Sequence, residues 1–288
     1  MPRSFLGDVS RNRGNLTTLP PTGKLSTEVR TFEEVVADMR HCVFSVIRDR
    51  PSPPGTLPPV RSAALGTGFF VRPEIFITCH HVMNDNKDPH QTGDSYRLIA
   101  NVTGSSPTSH TVTTPQVGQE LTLFPSLDLA VLRVDVANDQ PYVAIAYEDI
   151  RVGAEVGVVG YPLASLITDT NGNLTLEGLI YRAAYGPVTG RYEGTLPTGE
   201  TVPVVEVNFM FVPGNSGGPV FNVNTGRVCG MVQSIRWARI AEQVMPTGIV
   251  QLPLGVVSPY IVPIMAIYSW GIKLDCARTA LEGFGVVP

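Results

Sequence analysis

Cysteine is scarce. The 288 residues hold 4, Cys42, Cys79, Cys229 and Cys276, and none forms a Cys-x-x-Cys pair. That is too few to staple a chain of this length, so the sequence fits a reducing compartment and a cytoplasmic location is expected. Charge is thin as well: 21 Lys and Arg stand against 25 Asp and Glu, a formal net charge of -4. No basic block exists beyond the scattered Arg3, Arg11 and Arg13. A surface that tracks phosphates therefore has no support, and no nucleic-acid partner is expected. Unbroken apolar runs are also missing. Residues 243–272 carry no charge and are long enough to span a bilayer, but Pro246, Pro253, Pro259 and Pro263 divide them. Buried core segments are the better reading, and no membrane partner is expected. Residues 1–31 are broken throughout by Gly, Pro and charge, so no secretory signal is read there.

What is present is punctuation and short apolar runs. With 28 glycines, 25 prolines and 43% hydrophobic residues, the composition favours an all-β barrel or sandwich over a helical bundle. The length suits one two-lobed domain or two small ones, since single cores stop growing near roughly 250–300 residues. Residues 1–27 show neither a period of two nor of 3.6 and read as a mobile arm. Thr31-Phe32-Glu33-Glu34 is a capping-box pattern, which starts a short helix with Phe32, Val35, Val36 and Met39 on one face. Strands are expected at 42–47, 66–71, 75–79, 96–102, 110–117, 128–134, 155–160, 174–183, 202–208, 219–222, 228–234 and 248–252. Ser258-Pro259 then reads as an N-cap with proline in the first turn, so a packed terminal helix is expected over about 258–270. A tail is expected over 273–288.

The most specific segment is Pro213-Gly214-Asn215-Ser216-Gly217-Gly218-Pro219. A tetrahedral oxyanion needs inward-pointing backbone N–H groups. Gly214 permits the turn that supplies them, and Gly217 with Gly218 leaves the approach free of side chains. The alternative is a glycine-rich turn around an ordinary serine. The same residues satisfy Gly-x-Ser-x-Gly, the nucleophile elbow of α/β-hydrolases, but that fold needs its histidine after the serine. All 5 histidines, His41, His80, His81, His90 and His110, precede Ser216. The order His, Asp, Ser remains open.

His80 and His81 close the apolar run Ile75-Phe76-Ile77-Thr78-Cys79. If that strand continues through them they point oppositely, so one of the two can face a serine. Asp128 opens Leu129-Ala130-Val131-Leu132, an acid set against an apolar strand; it is either a buried, hydrogen-bonded carboxylate or an exposed turn residue. A zinc site from His80, His81 and His90 with Asp85 or Asp88 is a weaker reading, because adjacent histidines lack ligand spacing and no cysteine pair assists. No metal or cofactor is expected.

Thr78-Cys79-His80-His81-Val82, Asp128-Leu129-Ala130-Val131-Leu132 and Gly214-Asn215-Ser216-Gly217-Gly218-Pro219 together resemble the three motifs of trypsin-like peptidases, the HtrA/DegP branch most of all. Gly66-Thr67-Gly68-Phe69 and the helix-then-strand start at 32–47 are similar to that branch too. The resemblance spans most of residues 30–272. It implies an all-β, chymotrypsin-like fold of two six-stranded antiparallel β-barrels with a short N-terminal and a C-terminal helix. One barrel would lie at about 40–140 and the other at about 150–255, within a peptidase domain over 28–272.

It also implies a serine endopeptidase with His81 as base, Asp128 as its orienting acid and Ser216 as nucleophile. The oxyanion hole would be the turn Gly214, Asn215 and Ser216. The pocket for the residue before the scissile bond would be lined near Met210, Phe211, Val232, Gln233, Ser234 and Gly248. None of these is acidic, so small or medium apolar residues are expected there. The partner is then a protein or peptide substrate. No PDZ module fits after residue 272 in this chain, and there is no Ile-Val-Gly-Gly start. The first absence removes peptide-sensing activation in cis, and the second argues against activation by a new N-terminus. A long polar N-terminus and an expected cytoplasmic location point to a latent form, with a misaligned oxyanion loop or the arm over the cleft, released by a regulatory partner or an upstream activating protease. The oligomeric state is left open. An inactive trypsin-fold binding or chaperone module is the rival reading.

Overall fold

The computed structural model describes residues 30–56, 58–100, 108–112, 115–136, 139–147, 149–162, 165–168, 174–177, 179–196, 198–244 and 261–287, the backbone alone for 165–168, 174–177, 234–244 and 261–268. The expected arm at 1–27, the strand at 248–252 and Gly248 lie outside the described residues.

Helix α1 (Phe32–Met39) starts where the capping box predicts. The Glu34 N–H donates to Thr31 Oγ1 at 3.3 Å, and the Glu34 carboxylate accepts the Thr31 N–H at 2.9 Å. Its apolar face buries Val35 and Met39, and the Phe32 ring lies 6.1 Å from that of Phe221.

The chain then enters a first lobe of seven strands: β1 (Val43–Pro51), β2 (Val60–Arg72), β3 (Ile75–Cys79), β4 (Ser95–Ala100), β5 (Thr108–Val112), β6 (Leu121–Phe124) and β7 (Leu129–Arg133). A single helical turn, α2 (His80–Met83), separates β3 from β4. The sheet order is β5-β4-β1-β2-β3-β7-β6, every pair antiparallel. Its core is aromatic: the Phe70 ring meets those of Phe44 at 5.4 Å and Phe76 at 5.1 Å, edge to face. Among the described residues this sheet curls without closing, whereas a closed six-stranded barrel is expected.

The second lobe does close, in the order β11-β12-β15-β14-β13-β8. It is built from β8 (Glu155–Gly160), β11 (Arg182–Thr195), β12 (Thr201–Val207), β13 (Pro219–Asn222), β14 (Val228–Val244) and β15 (Ile261–Lys273). A separate hairpin, β9 (Ser165–Thr168) with β10 (Leu174–Glu177), stands apart from the barrel.

Two expectations at the C-terminal end are corrected. The segment read as a terminal helix is β15, which pairs with β14 from Val244↔Ile261 to Gly230↔Lys273. A continuous apolar run has no diagnostic period, and the β-branched Ile261, Val262, Ile264 and Ile267 together with Pro263 favour extended backbone. Nor is the segment beyond it a tail. After a 3-10 turn at Leu274–Ala277, helix α3 (Arg278–Glu282) crosses back onto the first lobe. There Leu281 and Val286 enter the core, and the Phe284 ring meets that of Phe124 at 6.4 Å. Arg72 of β2 donates to the Gly285 carbonyl at 2.8 Å. Among the described residues no helix is long and apolar enough to cross a membrane.

Candidate active site

The cleft takes side chains from both lobes. From the first comes His81, which lies in α2 and not on the continued strand β3, so helical rotation separates the two histidines. His80 is buried at 8% exposure, whereas the His81 side chain is 36% exposed. The His80 N–H donates to the Asp128 backbone carbonyl at 2.9 Å, and His80 Nε2 lies 3.3 Å from Asn84 Nδ2. Burial pushes the His80 imidazole below its ordinary range.

Asp128 ends a 3-10 turn at Pro125–Leu127 with φ +45° and ψ +40°. This left-handed conformation is one that Asp tolerates better than most residues. It turns the carboxylate inward, where the side chain is 6% exposed. Asp128 Oδ2 lies 2.8 Å and Oδ1 3.1 Å from His81 Nδ1, and Oδ1 also accepts the His81 backbone N–H at 3.0 Å. A buried carboxylate bound to Nδ1 keeps the proton on that nitrogen and leaves Nε2 as an acceptor.

The second lobe supplies the serine turn. Asn215 N–H donates to the Val212 carbonyl at 3.0 Å, Pro213 occupies the next position, and Gly214 has φ +96°. Those are the marks of a type II turn, which needs positive φ at its third residue. Among the described residues neither the Gly214 nor the Ser216 N–H donates to a protein acceptor. Gly217 has φ +84°, and a Cβ there would collide with Thr67 O and Thr78 Oγ1.

The lobes are joined at this loop through Thr67. Its N–H donates to the Ser216 carbonyl at 2.9 Å and its hydroxyl to the Gly214 carbonyl at 2.6 Å; the same hydroxyl accepts the Tyr161 N–H at 3.0 Å. Thr78 Oγ1 in turn donates to the Thr67 carbonyl at 2.6 Å. Sequence reasoning met Thr67 only inside a family pattern. The flanking Gly66 was the available signal, since a Cβ there would sit 2.8 Å from Ser216 O.

The Ser216 hydroxyl donates to the Gln233 carbonyl at 3.1 Å. Of the residues expected to line the substrate pocket, Phe211, Val232 and Gln233 are buried, and Phe211 N–H donates to Ser269 Oγ at 2.8 Å. Met210 is 56% exposed, and Ser234 continues strand β14. Ser216, His81 and Gly214 share one cavity of about 340 Å³.

The zinc reading does not assemble. His90 Nδ1 lies 2.8 Å from Tyr96 OH, and among the described residues the donors that converge are Cys79, His81 and Asp128. Burial, aided by the Asp128 charge, pushes the Cys79 thiol well above its ordinary range, and it donates to the Val232 carbonyl at 3.2 Å. Within this group the His81–Asp128 contact at 2.8 Å is the closest pairing of side chains, and Cys79 is turned to the Val232 carbonyl.

An imidazole backed by a buried carboxylate on one β lobe, opposite a serine turn with unclaimed N–H groups on the other, defines the chymotrypsin-type architecture. The family model of the trypsin-like peptidase domain matches residues 66–231, and the chain belongs to that family. A DegP-like periplasmic serine endoprotease of Pseudomonas fulva is 29% identical over 193 residues, 66% of this chain and 33% of that protein. Protein y4bJ of Sinorhizobium fredii is 30% identical over 179 residues, 60% of this chain and 22% of its own length. The chain thus spans between about a fifth and a third of the length of these curated relatives. The HtrA-type protease AlgW bound to a decapeptide is similar in fold, with a TM-score of 0.55 at 17% identity over 88% of this chain and 67% of that one.

Proposed function

We propose that this protein is a serine endopeptidase working through an acyl-enzyme. The observation that carries the reading is the His81 imidazole, held by Asp128 at 2.8 Å from the first lobe and sharing a cavity with Ser216 of the second. Ser216 Oγ attacks the scissile carbonyl while His81 Nε2 takes its proton. Asp128 keeps the tautomer and stabilises the imidazolium that forms, and the same proton then passes to the leaving amine. The N–H groups of Gly214 and Ser216 receive the oxyanion, with Asn215 holding the turn between them. In the resting structure the hydroxyl bonds to Gln233 instead, so rotation about the Ser216 Cα–Cβ bond precedes attack.

Two finer features belong to the same proposal. Because none of Met210, Phe211, Val232, Gln233, Ser234 and Gly248 is acidic, the residue before the scissile bond is small or medium and apolar. Comparable cleavage after Arg and Val in a peptide library would contradict this. The enzyme acts in a reducing, cytoplasmic compartment, supported by four free cysteines of which three are buried; recovery in an oxidising cell fraction would argue against it.

Labelling with a fluorophosphonate, which reacts with an activated serine, tests the core of the reading. Wild type should label and Ser216→Ala should not. Well-folded wild type that fails to label, both intact and after removal of residues 1–27, would leave the inactive binding module as the better reading.

A further inference from the structure

Beside Ser216 the cavity of about 340 Å³ extends toward the first lobe, and among the described residues Val232 and Gln233 of β14 take no part in its lining. It is therefore separate from Val232 and Gln233, which are expected to line the pocket for the residue before the scissile bond. His81 is among the residues that line it. An imidazole that protonates the departing amine must stand beside the residue that follows the scissile bond, so this cavity is where that residue's side chain goes.

Its chemistry is two-part. Ala64, Leu65 and Val82 make an apolar wall, while Arg48, Asp85 and Asp88 bring charge. Arg48 is already compensated: it is 5% exposed, pairs with the Asp88 carboxylate and donates to the Asp88 carbonyl at 2.9 Å. Arg50 joins the same network, donating to Asp88 Oδ1 at 2.5 Å and to Asp94 at 2.6 and 2.7 Å. Two guanidinium groups thus face two carboxylates. Asp85 stands outside this balance. Among the described residues its carboxylate accepts only the Lys87 backbone N–H, at 2.9 Å, and makes no ion pair.

We propose that this cavity selects lysine or arginine immediately after the scissile bond, with Asp85 as the specificity-determining residue; the inference rests on the peptidase reading above. The methylenes of such a side chain lie along Ala64, Leu65 and Val82 while its charge reaches the exposed Asp85, which is how long cationic side chains cover apolar surface. An acidic side chain there meets an uncompensated carboxylate and is disfavoured.

The test uses internally quenched peptides identical except for Lys, norleucine or Glu after the scissile bond. Wild type should cleave the Lys peptide on the order of fivefold faster than the Glu peptide in kcat/KM, with the gap narrowing as salt is raised. Asp85→Asn should bring the ratio near one, and Asp85→Lys should invert it. A ratio near one in wild type, or one unchanged in Asp85→Asn, would overturn the subsite. Binding of the same peptides to Ser216→Ala, read by fluorescence anisotropy, separates the two readings. A charge preference that depends on Asp85 without any cleavage by wild type would keep the subsite and sink the peptidase; cleavage without that preference would do the reverse.

Discussion

Asp128 stands in left-handed backbone at φ +45° and still delivers both carboxylate oxygens to His81. Asn is the substitution that separates its two jobs, because it tolerates the same conformation while presenting an N–H₂ where an acceptor is needed. Asp128→Asn should therefore fold like wild type and lose about four orders of magnitude in kcat, since the wrong His81 tautomer becomes favoured. Near-normal turnover would mean that Asp128 only shapes the turn. Of the two readings the sequence left open, exposed turn or buried acid, the structure selects the buried acid, although its backbone ends a turn.

Among the elements, α3 has the least sequence signal and one of the clearest structural roles. Its five residues follow a 3-10 turn, with no side-chain cap at the N-terminus, and Leu281 is the residue it buries. Because that side chain is fully enclosed in the first lobe's core, Leu281→Ala should cost about 2–5 kcal/mol in a urea titration. A loss below about 0.5 kcal/mol would show that the segment is peripheral. The helix α1 was legible because a capping box is a local, two-residue chemical match. The strand β15 was not, since an apolar run fits helix and strand alike until its partner, here β14, is known.

At the scale of the molecule, stability carries a pH signature. Burial lowers the pKa of His80, His90 and His110 from the ordinary 6.5. The folded state then binds fewer protons than the unfolded chain between the depressed values and 6.5. Their contribution is thus complete above about pH 6.5 and is lost as pH falls through the folded values. The Tm should fall between pH 7 and pH 5, and His110→Gln should flatten the slope; a Tm constant over that range would remove the argument. The same scale separates what was legible from what was not. The motifs around His81, Asp128 and Ser216, their chain order and the β-rich composition were readable because each is a local pattern of residue types. The Thr67 clamp across the lobes, the return of α3 and the cavity beside Asp85 were not. Each joins residues far apart in the chain, such as Thr67 with Gly214 and Arg72 with Gly285, and such contacts exist only once the lobes have packed.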